Sequence, residues 1–562
     1  MIQIRKRGEL RQENNDQCTN LKHASKPLND ENYRTKHTDQ CSGCTEVQAN
    51  SEQLGDILAR RKLPLILSID EHDQNDEIVF QEADVDDGTE LNVPYVAISH
   101  VWSDGLGNPQ RNALPRCQLL RLSHLIRGLN DGKCSKCVYF WLDTICVPPD
   151  ALKMTEPQNI AMDLMRSTYE KATAVLVLDS WLCNTDGSKI SVLERFTQTL
   201  SCGWTRRLWT FQEGVLPRFL YIQFANRAYD FDAEMAELQK SADTVTRLTM
   251  LPTLVQLYHQ LPFPVFQGLS LKARLLAVAH ALADRETSVM SDEPLCLGAL
   301  LNLNVGVLAR TKPEARMEKF WTMLHKVPLN LLTLKSQRMD TEGLRWAPRS
   351  FLRSTSSSLG GAGPSESMAD SSDVEQLDGC VTEQGLVITS PELVVCSGGE
   401  LFGPCTYVRS NTEETWYSVH VATAEGVYSR LAIATDFDEA GDVRNYAFGP
   451  GEGTGPKELA IIASNFDAPR CPADIFVPLR GGYLGVVKPE ERDDIIYCEL
   501  ICTVLVQRLE PTHRNIRALE LLFPFRNLSE GEEYPQRGRG RESSLDAAIG
   551  DRRSSSQLWC LG

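Results

Sequence analysis

The chain has 562 residues with 58 basic and 75 acidic side chains, a net charge of −17. That length holds two or three domains at the usual ~100–200 residues each, and the negative balance repels phosphate backbones and anionic lipid, which argues against nucleic acid or a membrane surface as partner. No run reaches the ~18–20 apolar residues of a membrane span, and no apolar leader precedes the 17 cysteines, so they read as reduced thiols of a cytoplasmic protein.

Residues 1–60 are polar and poor in periodic apolar positions, yet they hold Cys18, His23, His37, Cys41 and Cys44. The spacing His37-x3-Cys41-x2-Cys44 supplies the close pairs of a tetrahedral structural zinc site, with Cys18 as the fourth donor and His23 as its competitor. A polar segment unable to fold unaided gains most from such a staple. Cys134-Ser-Lys-Cys137 is a second close pair without a nearby partner pair, and reads as incidental unless the two segments meet in space to make a joint site with Cys41 and Cys44.

Beyond it, apolar strand-type runs alternate with helical periodicity. The runs 95–99, 138–143 and 174–178 are separated by a helical stretch at 117–129 and by a helix with Ala161, Leu164, Met165, Thr168 and Ala172 on one face. Strand and helix alternating in this way predict a parallel sheet with crossover helices. Helical patterns dominate a further region at 226–350, and 354–373, rich in Ser, Gly and Ala, reads as a flexible linker. Short strand-like runs at 386–389, 415–421, 431–435, 475–479, 483–487 and 495–506 predict a β-rich region over 376–525, and the tail 528–562 reads as disordered.

Three blocks stand out: Tyr95-Val-Ala-Ile-Ser-His-Val-Trp102, Phe140-Trp-Leu-Asp-Thr-Ile-Cys-Val-Pro148 and Trp204-Thr-Arg-Arg-Leu-Trp-Thr-Phe-Gln-Glu213. In this order and spacing they resemble the signature blocks of the fungal heterokaryon-incompatibility (HET) domain, over roughly residues 90–225. Asp292-Glu-Pro-Leu-Cys-Leu and Gly343-Leu-Arg-Trp-Ala-Pro348 resemble the helical region that follows that domain. The second block departs from the family, with Val147-Pro148-Pro149 where Ile-Asn-Gln is usual. The resemblance implies a TIR-like, flavodoxin-like parallel sheet. It also implies a part in non-self recognition and programmed cell death through protein partners or self-association. Some TIR domains cleave NAD with one glutamate, so an NAD glycohydrolase is the enzymatic alternative, and a scaffold without catalysis is another.

Ligands of doubly wound sheets bind where the carboxyl ends of the strands meet, and here those ends carry Ser99, His100 and Asp104, then Asp143, then Asp179. Arg206, Trp209 and Glu213 recur at helical spacing of three and four, which would put a cation, an indole and a carboxylate on one face. Glu213 reads either as a catalytic or ribose-binding carboxylate or as a helix glutamate paired with Arg206 or Arg207. Asp143 reads as its catalytic companion or as a cap on the following loop. Ser99, His100, Trp102, Arg206 and Trp209 are the candidate ligand-binding groups, set against a strand end making backbone bonds and against tryptophans, Trp141 included, packed in the core. Cys146, His100 and Asp143 also permit a thiol nucleophile with base and orienter, although Ile-Cys-Val has the look of a buried run. If a site exists, Asp143 and Glu213 converge on the loop after Trp102, and one of them carries a raised pKa unless an arginine neutralises it.

Overall fold

The apolar runs form the centre of a seven-stranded sheet. The computed structural model describes residues 33–72, 77–85, 93–129, 137–241, 269–283, 285–352, 355–356, 378–389, 393–397, 405–410, 415–421, 457–463, 480–492, 495–508, 546–552 and 558–561. The chain divides into two units, Met1–Phe320 and Trp321–Gly562.

In the first unit, β1 (Glu46–Ala49) leads into α1 (Ser51–Ala59) and β2 (Leu63–Leu67), followed by β3 (Glu77–Ile78) and β4 (Phe80–Ala83). Then come β5 (Tyr95–His100), β6 (Ala113–Pro115), α2 (Arg116–Arg127), β7 (Tyr139–Trp141) and the one-turn helix α3 (Asp143–Cys146). The crossover α4 (Thr155–Glu170) precedes β8 (Ala174–Leu178), and α5 (Ser180–Cys183), α6 (Val192–Ser201) and α7 (Trp209–Val215) lead to β9 (Leu220–Gln223) and β10 (Ala228–Asp230). The sheet order is β10-β9-β8-β5-β7-β2-β4. Within it β9, β8, β5 and β7 run parallel, as the alternation of strand and helix predicts, while β10, β2 and β4 add antiparallel edges. Numbered in chain order, the four parallel strands lie as 2-1-3-4, an arrangement whose switch point falls between the first and third, here β5 and β8. Every residue of β5 and β8 is buried, which is why both read as unbroken apolar runs rather than alternating ones.

Two boundaries differ from the sequence expectation. Residues 46–59 are not an unstructured polar segment: β1 buries alternate residues Val47 and Ala49, and α1 buries Leu54, Ile57 and Leu58. Their outer faces are polar, which masks the pattern in a composition average. The helices of the expected extension up to Phe320 fall in the first unit. The helices α8 (Phe231–Ser241), α9 (Leu271–Leu282), α10 (Glu293–Leu300) and α11 (Val305–Arg310) belong to the first unit. All eight residues of α10 are buried, and it packs on α4, α7 and α11.

The second unit centres on an aromatic cluster and a large, mainly antiparallel sheet. Trp321 meets Trp346 edge-on at 5.3 Å, with Phe351 at 5.7 Å. Gly343 opens the segment that carries Trp346 at φ +79°, and a side chain there would run into the Glu383 carbonyl, so only glycine fits. The observed strands include Gly385–Thr389, Thr415–Val421, Arg480–Arg492 and Ile495–Arg508, matching four of the expected runs. The runs at 431–435 and 475–479 lie outside the described residues, as does the linker 354–373 apart from the strand pair residues Thr355–Ser356. The tail expectation is corrected, because Asp546–Arg552 and Leu558–Leu561 are strands of the sheet. The second of these pairs antiparallel with Leu386–Thr389, Leu561 opposite Leu386 and Leu558 opposite Thr389, a short run whose Arg- and Ser-rich surroundings in the sequence conceal it.

Among the described residues no helix is long and apolar enough to cross a membrane.

Candidate functional site

The three sequence blocks meet at the carboxyl edge of the parallel strands and are joined by side-chain hydrogen bonds. Ser99, next to last on β5, donates to the Glu213 carboxylate and accepts from the Trp204 indole N–H at 2.6 Å. The Tyr169 hydroxyl, from α4, is also hydrogen-bonded to Glu213. One residue along β5, the His100 Nε2 lies 2.8 Å from Asp143 Oδ1. The Trp102 indole donates to Asp143 Oδ2 at 2.5 Å, and the Thr144 amide to Oδ1 at 2.6 Å. The pleat sends Ser99 and His100 to opposite faces of the strand, so one neighbour serves Glu213 and the other Asp143.

Burial separates the two carboxylates. The Glu213 residue is 8% exposed, whereas the Asp143 side chain is 23% exposed and its His100 partner 2%. Burial lifts the Glu213 carboxyl from its ordinary 4.5 to about 7; the Ser99 bond opposes the rise, the Asp143 charge adds to it, and His100 and Tyr169 oppose it. Asp143 shifts the other way: burial pushes it up, but the charge and hydrogen bond of His100, with Trp102 and Thr144, carry it below the usual range. Burial pulls His100 down, and Asp143, then Glu213 and Asp104, more than reverse this, leaving it raised. The His100 Nδ1 is buried with no hydrogen-bond partner among the described residues. Near neutral pH this centre therefore sets a Glu213 that still partly holds its proton beside an Asp143 kept ionised and a His100 whose protonated form is favoured.

Most expected residues converge here, and two, Arg206 and Trp209, do not. Ser99, His100, Trp102, Asp143 and Glu213 share the network, and the raised Glu213 is not held by an arginine hydrogen bond: its bonds go to Ser99 and Tyr169. Arg206 is exposed and ends a 3-10 turn, and the backbone is extended at Arg207 (ψ 145°) before α7 begins. That break cancels the helical spacing, so Arg206 and Glu213 do not share a helix face. Trp209 donates to Asp292 at 3.0 Å, tying the third block to the residue before α10. Arg285, 5% exposed, donates to the Arg207 carbonyl at 2.7 Å and anchors the same segment. The thiol-nucleophile alternative fails, because Cys146 is 1% exposed, donates to the Pro64 carbonyl, and has its pKa driven up by burial. Trp141 is core, edge-on to Tyr169 at 5.6 Å. Asp179 caps α5 and accepts from the Trp204 amide, a structural use of a strand-end carboxylate.

Trp204 and Tyr169 were not singled out from sequence. Trp204 stood inside a recognised block, and its indole N–H, which must find a partner once buried, was the usable signal. Ser99→Ala removes the partner of that N–H and one donor to Glu213. Urea unfolding should show a loss of about 2 kcal/mol, the usual cost of an orphaned buried donor; a loss below about 0.5 kcal/mol would count against the bridge.

A second cluster lies beside the first block. The side chains of His37, Cys41, Cys44 and Cys117 place one donor atom each within 4.8 Å of the others, so the set is able to hold a metal ion. Its fourth member is Cys117 on the first turn of α2, not Cys18. Cys18 and His23 lie outside the described residues. Seventy-three residues separate Cys44 from Cys117, so no spacing rule connects them.

Comparison of the chain with models of known protein families, with curated proteins and with solved structures finds no match to any of them.

Proposed function

We propose that the first unit is a HET-type module with a TIR-like sheet, acting inside fungal cells in non-self recognition and cell-death signalling through protein partners or self-association. The observation that carries this reading is the convergence of the three blocks, from three distant stretches of sequence, on one hydrogen-bonded centre. Residues spaced for packing alone would not need an interlocked set of Ser, His, Asp, Glu and two indole N–H groups. Inducible expression in fungal cells is the direct test. The intact chain should reduce viability, and Asp143→Ala at matched protein levels should relieve the effect; undiminished growth with the intact chain removes the proposal.

An enzymatic reading has one observation in its favour, the near-neutral pKa of Glu213 next to an ionised, partly exposed Asp143. In N-glycosidic cleavage of NAD, Asp143 is the group able to touch the ribose and stabilise its oxocarbenium-like charge, with the Trp102 ring beside it as a stacking surface. Glu213 sits behind Ser99 and serves as a proton reservoir rather than as the first contact. Purified protein incubated with NAD should release nicotinamide, and Asp143→Asn should cut the rate by about 100-fold or more. No nicotinamide above a protein-free control leaves the non-catalytic signalling module. Zinc is the metal that a site of three thiols and one imidazole selects.

A further inference from the structure

Residues 33–46 include no fully buried side chain, yet this segment lies bonded across the turn that carries Trp102. The Tyr33 hydroxyl donates to the Trp102 carbonyl at 2.6 Å and accepts from the Gly107 amide at 3.1 Å. The Thr35 hydroxyl donates to the Gly107 carbonyl at 2.7 Å, and the Lys36 amide to the Gly105 carbonyl at 2.9 Å. Gln118 of α2 holds the Lys36 carbonyl from the other side at 2.9 Å. The fit is close: a side chain at Gly105, where φ is +119°, would overlap Lys36 at 2.8 Å. Such a strap has no fully buried apolar anchor, and a few part-buried hydrogen bonds alone do not fix a polar segment against its chain entropy.

The anchor is at its carboxyl end. The His37 Nδ1 is 3.6 Å from Cys41 Sγ, 3.4 Å from Cys44 Sγ and 3.6 Å from Cys117 Sγ. Zinc bound at about 2.3 Å to sulfur and about 2.0 Å to nitrogen with tetrahedral angles requires an N···S edge of about 3.5 Å. The three distances match that edge. Backbone amides also point at the sulfurs, Thr38 N–H to Cys117 Sγ and Cys117 N–H to Cys44 Sγ, each at 3.3 Å. Amide donors of this kind stabilise thiolate ligands and fix their orientation. Cys117 belongs to α2 and the other three to the strap, so an ion here joins the strap to the body of the unit.

We infer that His37, Cys41, Cys44 and Cys117 hold one zinc ion, and that this ion fastens the 33–44 strap over the Trp102–Gly107 turn, positioning the Trp102 indole that binds Asp143. The inference rests on the zinc reading above and adds to it the ion's task.

Its test has two independent parts. The intact chain, purified without added metal, should carry close to one zinc per chain. X-ray absorption should find three sulfurs at about 2.3 Å and one nitrogen at about 2.0 Å. Cys117→Ala and His37→Ala should lose the metal, and Cys18→Ala should keep it. Absence of zinc, with no uptake from micromolar zinc, overturns both parts; a Cys117→Ala protein that retains full zinc, or a native site with fewer than three sulfurs, overturns the ligand set. The second part is hydrogen exchange of chelator-treated against metal-loaded native protein. Peptides covering 33–44 and 102–108 should exchange on the order of 100-fold faster without metal, since binding of a structural zinc is coupled to local folding. Peptides over β8 should not change. Unaltered exchange at 102–108 in a demonstrably metal-free protein overturns the strap's task while leaving the zinc site standing.

Discussion

Asp143→Ala should lower the unfolding free energy by about 3 kcal/mol near pH 6, the low end of what breaking a buried ion pair costs. The mutation leaves His100, 2% exposed at its side chain, with neither ring nitrogen bonded, because Nδ1 already lacks a partner. It also orphans the Trp102 indole N–H, which is only half-buried and recovers part of its loss from water. The 23% exposure of Asp143 is the reason for choosing the low end rather than the high one. The pH dependence follows from the two shifts. Asp143 is depressed in the folded protein, so its contribution is complete above the ordinary 3.8 and is lost as pH falls through its lower folded value. His100 is raised, so its contribution is complete below the ordinary 6.5 and is lost as pH rises through its higher folded value. The difference between wild type and Asp143→Ala, measured by urea unfolding, should therefore be largest between about pH 4 and 6.5 and shrink on both sides. A difference that is flat from pH 3 to pH 9 would mean that the pair is not ionised. Asp143→Asn, which keeps one oxygen acceptor, should fall between the two proteins.

The parallel strands were legible because burial on both faces leaves a clear signature: β5 is buried throughout and ends in Ser99 and His100, which the site uses, and β8 is wholly apolar and is followed at once by the cap Asp179. The short strands were harder. β1 alternates exposed and buried residues over only four positions, and the edge strand β4 buries only its two ends, Phe80 and Ala83, too little for periodicity to stand out from a polar background. The third block shows how spacing misleads. Arg206, Trp209 and Glu213 are three and four apart, but the extended backbone at Arg207 resets the helix, and a reading of intervals cannot see a break in the chain direction. Cys117 was hidden for a different reason. Ligand motifs are legible when the donors share a local turn, as His37, Cys41 and Cys44 do, whereas the donor on α2 arrives through tertiary packing of the strap on that helix.

Glu213→Gln should make the protein more stable than wild type at neutral and alkaline pH, and about equal to it near pH 4. Substituting a buried hydrogen-bonded residue usually destabilises, so the sign itself is informative. Glu213 holds its proton up to about 7 in the folded chain against 4.5 for an ordinary glutamate. Between those values the folded state binds more protons than the unfolded one, and stability falls as pH rises. At 1.36 kcal/mol per unit, the interval from 4.5 to about 7 corresponds to a penalty of about 3 kcal/mol above pH 7. Glutamine is never charged and avoids it. Its oxygen accepts from Ser99 as the carboxyl does, so that hydrogen bond is kept. Part of the gain is returned, because the Glu213 charge helps to hold the proton on His100; a net stabilisation of about 2 kcal/mol at pH 8 is the expected reading. Urea unfolding of both proteins at pH 4, 6 and 8 supplies the comparison, with groups common to both largely cancelling. If the difference stays constant across that range, Glu213 titrates in the folded chain as it does in the unfolded one, and the proton reservoir invoked for the enzymatic reading is gone. If it grows with pH as described, the centre holds a proton near neutrality beside a charged aspartate, the condition any acid–base role requires.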